Sequence, residues 1–262
     1  MKGTLRPRTS QPSPHLSSLP LTWLLVVAMV CVGLLGAPRA CAGDTTPWPQ
    51  LPSPPKAKVA WVAESMRVDG IPMKVMHFDS SADRLTVVQF YRSYWSGGYP
   101  AKPSVKIVGD ATLVGQLHGP FYMTVKVKDT PQGGSEGLIA VSRLLGSRLE
   151  RSPGEVPVMP GAQIRQVVES NDPRRRSRQV LMSSSSAVPT VAHYYQGALT
   201  NAGWRQAQYT DTPREAGRPA GSFMVFLRDR SEMQLSVAGG ADGRGSIVSA
   251  TLVTKDTDPA AF

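Results

Sequence analysis

Gln179-Val180-Leu181-Met182-Ser183, then Ser184-Ser185-Ser186-Ala187, then Val188-Pro189-Thr190-Val191-Ala192-His193-Tyr194-Tyr195, is the stretch whose reading decides the fold. A short β-rich run reads as a strand over 179–183, a serine run as a break, and 189–202 as a helix. Val188, Val191, Ala192, Tyr195 and Leu199 recur at helical spacing and form one apolar stripe. Ser186 stands where a hydroxyl can cap the first free N–H groups. Pro189 suits the first turn, which needs no donor there, and Gly203 provides the stop.

The same plan occurs upstream. Met73–Phe78 reads as a strand, Asp79-Ser80-Ser81-Ala82-Asp83 as the break, and Arg84–Trp95 as a helix with Asp83 as its cap. Leu85, Val88, Tyr91 and Trp95 form its stripe. Setting Tyr91 on Tyr195 places Phe90 on Tyr194 and Val87 on Val191, which reads as an internal repeat. Runs rich in β-formers follow each helix: 111–117, 121–128 and 137–144 after the first, and 222–228, 232–238 and 246–254 after the second. Gly-Pro, Gly-Gly and Asp-Gly in their connections punctuate hairpins. The expected fold is α+β, with two similar small domains, each one helix packed on an antiparallel sheet of about four strands. They span 58–144 and 161–257, with a proline- and glycine-containing linker at 145–160 and a tail at 258–262.

Pro160-Gly161-Ala162, a strand, the serine cluster, Tyr194-Tyr195 and Gly203-Trp204 together resemble a recurring module of exported, largely uncharacterised proteobacterial envelope proteins. Gly70-Ile71-Pro72-Met73 with Phe90-Tyr91 and Trp95 is similar to its partner module. The resemblance covers most of residues 60–255 and rests on packing and turn residues. It implies a tandem strand-helix-meander fold in the cell envelope, and no catalytic or ligand residue carries over from it. The first copy departs from the pattern, because no Gly-Trp pair directly follows its helix.

The N-terminal segment agrees with export. Lys2, Arg6 and Arg8 precede an apolar run from Leu21 to Ala37, and Ala40-Cys41-Ala42-Gly43 offers a small-residue cleavage site. That order reads as a signal peptide over 1–42, with an uncleaved inner-membrane anchor at 21–37 as the alternative. Either way the remainder is expected in the periplasm or beyond it. Cys31 and Cys41 are the only two cysteines, so a chain cut after Ala42 contains none. Disulfides, thiolate metal sites and cysteine nucleophiles are then excluded. The full chain carries a net charge of +10; the signal holds four cations and no acids, leaving 10 − 4 = +6. Five prolines within 44–57 read as an extended spacer, bounded here at 43–57.

Candidate chemistry is sparse. Gly133-Gly134-Ser135-Glu136-Gly137 fits a nucleophile-elbow pattern but sits between two expected strands, and the only histidine downstream, His193, is in the second helix. Gly239–Gly245 resembles a phosphate-cradling loop but precedes a strand instead of a helix. His77, His118 and His193 show no metal-ligand spacing, so no metal and no cofactor are expected. Arg174, Arg175, Arg176 and Arg178, following Asn171-Asp172-Pro173, read as a protruding basic loop able to grip phosphates or carboxylates. The expected function is non-enzymatic: an interaction or assembly module with an envelope protein as partner. The alternative is binding of an anionic envelope ligand (lipid headgroup, lipopolysaccharide or glycan) through the arginine loop. Nucleic acid is not an expected partner.

Overall fold

The computed structural model describes residues 47–99, 101–172, 175–213, 220–240 and 244–255. The signal or anchor reading of 1–42 and the 258–262 tail lie outside the described residues. In chain order the described elements are β1 (Ala57–Val68), β2 (Ile71–Ser80), α1 (Arg84–Ser96), β3 (Ser104–Val108), β4 (Ala111–His118), β5 (Phe121–Asp129) and β6 (Ser135–Arg143). There follow β7 (Gln163–Asp172), β8 (Arg175–Ser184), α2 (Val188–Asn201), β9 (Arg205–Thr212), β10 (Gly221–Arg228), β11 (Ser231–Gly239) and β12 (Ser246–Lys255). All strands join one antiparallel sheet in the order β3-β4-β5-β6-β2-β1-β7-β8-β12-β11-β10-β9.

This sheet overturns the expectation of two small domains with about four strands each. The strands absent from the sequence reading are β1, β3, β7 and β9. Three of them carry a local break in register: β1 between Trp61 and Ala63 and again between Ala63 and Met66, β7 between Ile164 and Gln166, and β9 opposite Val225–Phe226. Each inserted residue moves the following side chains to the other face, which destroys the period-2 pattern that marks a strand. β3 is only five residues long, and four of them are exposed. With β1 and β7 paired in the middle, the ladder runs unbroken from one half to the other.

The junction is short. β1 and β7 pair only through Met66–Ser170, Arg67–Glu169 and Val68–Val168. Asp69 and Gly70 then turn the chain into β2 with φ of 50° and 83°, the positive values a tight primed hairpin requires. A side chain at Gly70 would also put its Cβ 2.6 Å from the Arg148 carbonyl oxygen. Asp69 is buried and serves both halves. Its N–H donates to Val167 O at 2.8 Å, its Oδ1 accepts from Val167 N at 2.8 Å, and its Oδ2 pairs with Arg151 Nε at 2.9 Å. Its carbonyl accepts from Glu150 N at 2.8 Å.

Each half has its own core. Phe78, Val87, Tyr91, Trp95, Val125 and Ile139 centre the first, and Val180, Val191, Tyr195, Leu199, Phe226 and Met233 the second. Both helices lie on one face. Phe78 shares its side of β2 with Pro72, which pairs with Arg67; Arg67 pairs with Glu169, which shares its side of β7 with Val167 of the second core. The α2 stripe is buried as its spacing predicts. In α1 Val87, Val88, Tyr91 and Trp95 are buried while Leu85 stays exposed, so that expected stripe residue is corrected. Asp83 caps α1, accepting from Thr86 N at 2.7 Å. The expected Ser186 cap is not formed: the N-cap of α2 is Ala187, without a side-chain bond. Gly203, with φ of 80°, follows the C-cap as expected.

Two connecting segments differ from their sequence reading. The described part of the proline-rich stretch is not held off the fold. The Trp48 ring lies 5.2 Å from that of Phe121, Pro52 O accepts from the Tyr91 hydroxyl at 2.6 Å, and Pro55 O from the Ser80 hydroxyl at 2.6 Å. Within 145–160, Val156 is buried in the second core and Arg151 holds Asp69, so the segment acts as a strap over the junction. Among the described residues no helix is long and apolar enough to cross a membrane.

Asp69→Ala is expected to lower unfolding free energy by about 1–3 kcal/mol, because it leaves a buried N–H without its acceptor. Asp69→Asn, which keeps an acceptor, should cost less; the urea midpoints of the two variants check this. The Asp83 carboxyl is held below the usual carboxylate range by the Thr86 backbone N–H and then by the Thr86 hydroxyl. Its stabilising contribution is therefore present above the unfolded-state value and is lost as pH falls through the folded one. Thermal midpoints taken down the acid range should fall more steeply for the natural chain than for Asp83→Asn, which caps without titrating.

Candidate functional site

The β7–β8 hairpin carries the arginines. Arg175, Arg176 and Arg178 lie on strand β8 and not in a protruding loop, and Arg174 is outside the described residues. Their strand positions follow from register, with Arg175 opposite Asp172, Arg176 opposite Asn171 and Arg178 opposite Glu169. Arg178 turns inward. Its Nη2 pairs with Glu169 Oε1 at 2.5 Å and its Nη1 donates to Ser152 O at 2.6 Å, which ties the strap to the sheet. A Cβ at Gly154 would lie 3.0 Å from that guanidinium, so the strap passes close over it. Arg175 and Arg176 are exposed at the strand start. The four arginines are thus not a single gripping group: at least one is a structural cross-brace.

Beside this hairpin lies an open backbone edge. β1 pairs with β2 from Ala57 to Val68, but β7 covers it only at Met66–Val68. The bulge between Ala63 and Met66 stands where pairing with β7 ends. Ala57–Trp61, in regular register with β2, has no strand on its other side among the described residues. Trp61 is 51% exposed and Val62 39%. Lys56 and Lys58 are exposed on the same segment, and the first acid downstream is Glu64. The sequence reading missed this edge, since the bulges hide the strand; the one available signal was Asp69-Gly70, a hairpin dipeptide whose first arm must be β1.

The other chemical candidates are used by the fold. Ser135 opens β6 instead of a helix, is 1% exposed and donates to Ala82 O at 2.8 Å. His193 is exposed on α2. Ser246 makes the equivalent bond at the start of β12, donating to Ser186 O at 3.0 Å. Gly239 and Gly245 belong to the β11–β12 connection, of which 241–243 lie outside the described residues. Among the described residues, His77, Asp79 and Glu136 bring ligand-type atoms within 4.8 Å of one another. Glu136, however, pairs with Lys128 at 2.9 Å, so a cation there would have to displace an ammonium group. Of the aromatics that follow the helical spacing, Tyr91, Trp95, Tyr195 and Trp204 are core residues, and Tyr94 is 40% exposed. Burial raises the hydroxyl pKa of both Tyr91 and Tyr195.

No protein-family model matches this chain, and a comparison with curated proteins found no match. Among solved structures, it is similar to the apo immunity protein TplEi of the T6SS from Pseudomonas aeruginosa, at 13% identity and a TM-score of 0.26, over 80% of this chain and 86% of that one. The same immunity protein complexed with "L" peptide matches at 13% identity and 0.26, over 79% and 84%. A chain of the Tle4-Tli4 complex matches at 13% identity and 0.28, over 80% and 84%. Scores this low carry neither the fold nor a role across to this chain.

The two arginine environments separate in a measurable way. Arg178→Ala should lower stability by about 1 kcal/mol or more, since it strips a partly buried carboxylate of its partner and releases the strap. Arg175→Ala should stay within about 0.5 kcal/mol of the natural chain. Urea unfolding of the two variants side by side checks the contrast.

Proposed function

We propose that this protein is an exported, non-enzymatic module of the bacterial envelope whose work is to bind another protein. The observation that carries the reading is the open sheet. Among the described residues β3 and β9 end it without a further neighbour, and the β3 edge presents Ile107 at 77% exposure and Val105 at 42%. Unpaired strand edges are ready-made templates for another chain, and natural proteins that keep them open beside exposed apolar groups commonly use them for contact. The export part rests on residues 1–42 and on the resemblance to envelope modules. The anionic-ligand alternative is weakened by Arg178, whose guanidinium is already committed to Glu169 and Ser152.

Photocrosslinking amino acids at positions 62, 107 and 209, one on each open edge, test the reading in producing cells. The expected result is one dominant protein adduct whose purified form assembles with this chain at fixed stoichiometry in light scattering. Adducts confined to lipid or glycan, with no protein complex reconstituted, overturn it.

A further inference from the structure

We propose that the corner between the end of α1 and the start of β3 binds a small oxyanion, a phosphate or a carboxylate, between Arg92 and Lys102. The site lies away from the sheet edges and goes beyond the protein-binding reading.

A difference between the two halves sets the place. Their strands follow the same order inward, β3-β4-β5-β6-β2-β1 and β9-β10-β11-β12-β8-β7. In the second half residues 202–204 link α2 to β9, and the Arg228 guanidinium lies over the Trp204 ring at 4.4 Å. In the first half residues 97–103 make the same link, seven residues against three. Tyr99 there meets His118, which ends β4 as Arg228 ends β10; their ring centroids are 4.9 Å apart. The additional chain encloses a pocket of about 230 Å³ lined by Arg92, Ser96, Tyr99, Ala101, Lys102 and Pro103. Four of these six residues belong to the longer link, so the pocket is a product of that length.

The charge sets the occupant. The Arg92 and Lys102 side chains are exposed and form no ion pair or hydrogen bond among the described residues. No acid occurs in 84–109 or in 111–128. The acids that bound these stretches stand elsewhere. Asp83 caps the N-terminal end of α1, Asp129 holds Arg84 there, and Asp110 follows the far end of β3. The C-terminal end of α1 contributes about half a negative charge, which two full cations outweigh. A guanidinium offers an oxyanion paired N–H donors, and an ammonium adds a point charge. Pockets for drug-sized ligands begin at roughly 300 Å³, so this one suits a small ion or a compact acid.

The core beside the pocket departs from the second half as well. Trp95 adjoins Ser96, and Gln116 stands two residues before His118. Both are buried, and Trp95 Nε1 and Gln116 Oε1 have no hydrogen-bond partner. The same positions on α2 and β10 are held by Leu199 and Phe226, both apolar and fully buried. Unpaired buried polar atoms cost stability, so packing alone does not account for polarity at this corner and apolarity at its counterpart.

The test is a heteronuclear NMR titration of the full chain with inorganic phosphate and, separately, with succinate, at constant ionic strength in chloride. The amides of Tyr99, Ala101 and Lys102 and the Trp95 indole N–H are expected to move saturably. The Kd should be on the order of 1 mM or tighter for at least one probe, and the tighter probe tells phosphate from carboxylate. The amides of 202–204 should stay in place. Arg92→Ala with Lys102→Ala should weaken binding at least about tenfold while leaving the urea midpoint unchanged, since both side chains are exposed. Arg175→Ala, at an exposed arginine elsewhere, should leave binding unaltered.

Shifts that stay linear with both probes, or that chloride alone reproduces, overturn the proposal. So does binding that survives in the double alanine variant, and so do saturable shifts centred on 175–178 instead of 92–103. None of these outcomes touches the contacts tested at positions 62, 107 and 209, so the protein-binding reading stands or falls separately.

Discussion

Asp69 is the residue on which the continuity of the sheet depends. A ladder of three residue pairs is all that joins β1 to β7, and Asp69 extends it by two further hydrogen bonds to Val167 while holding Arg151 and the Glu150 amide. A buried carboxylate is costly unless each oxygen finds a donor. Here one oxygen accepts from one half of the sheet and the other from the strap that leads into it. The carboxylate is therefore satisfied only when β1, β7 and the 148–151 strap are all in place. That coupling gives a twelve-stranded sheet with two separate cores a reason to hold together at its centre.

The bulges in β1 stand where the pairing with β7 stops, and among the described residues no strand pairs with the other side of the regular stretch Ala57–Trp61. Both helices cover the same face of the sheet. Groups of reactive or anion-binding type are spent on the fold: the Ser135 and Ser246 hydroxyls pin the starts of β6 and β12 to carbonyls that precede the two helices, and Arg178 braces the hairpin and strap.

Legibility from sequence followed regularity. The α2 stripe, the Asp83 cap, the Gly203 stop and the six meander strands obey fixed periods and turn chemistry, and these were readable. β1, β7 and β9 were not, because an extra residue shifts the alternation partway along each, and β3 is too short and exposed to show a pattern. Missing the two central strands led to two domains where there is one sheet. The arginine cluster was visible as charge, yet nothing local distinguishes Arg178, opposite Glu169 and under Ser152, from Arg175 at the exposed end.

What the sequence determined by itself was local: where helices form, which residues they bury and where hairpins turn. These depend on residues within a few positions of one another. The tertiary structure alone decided that the halves share a sheet, that Asp69 and Val167 meet across 98 positions, and that β7 pairs with β1 only at Met66–Val68. Those outcomes depend on register between strands distant in sequence, and register is set by which buried groups can all be satisfied at once.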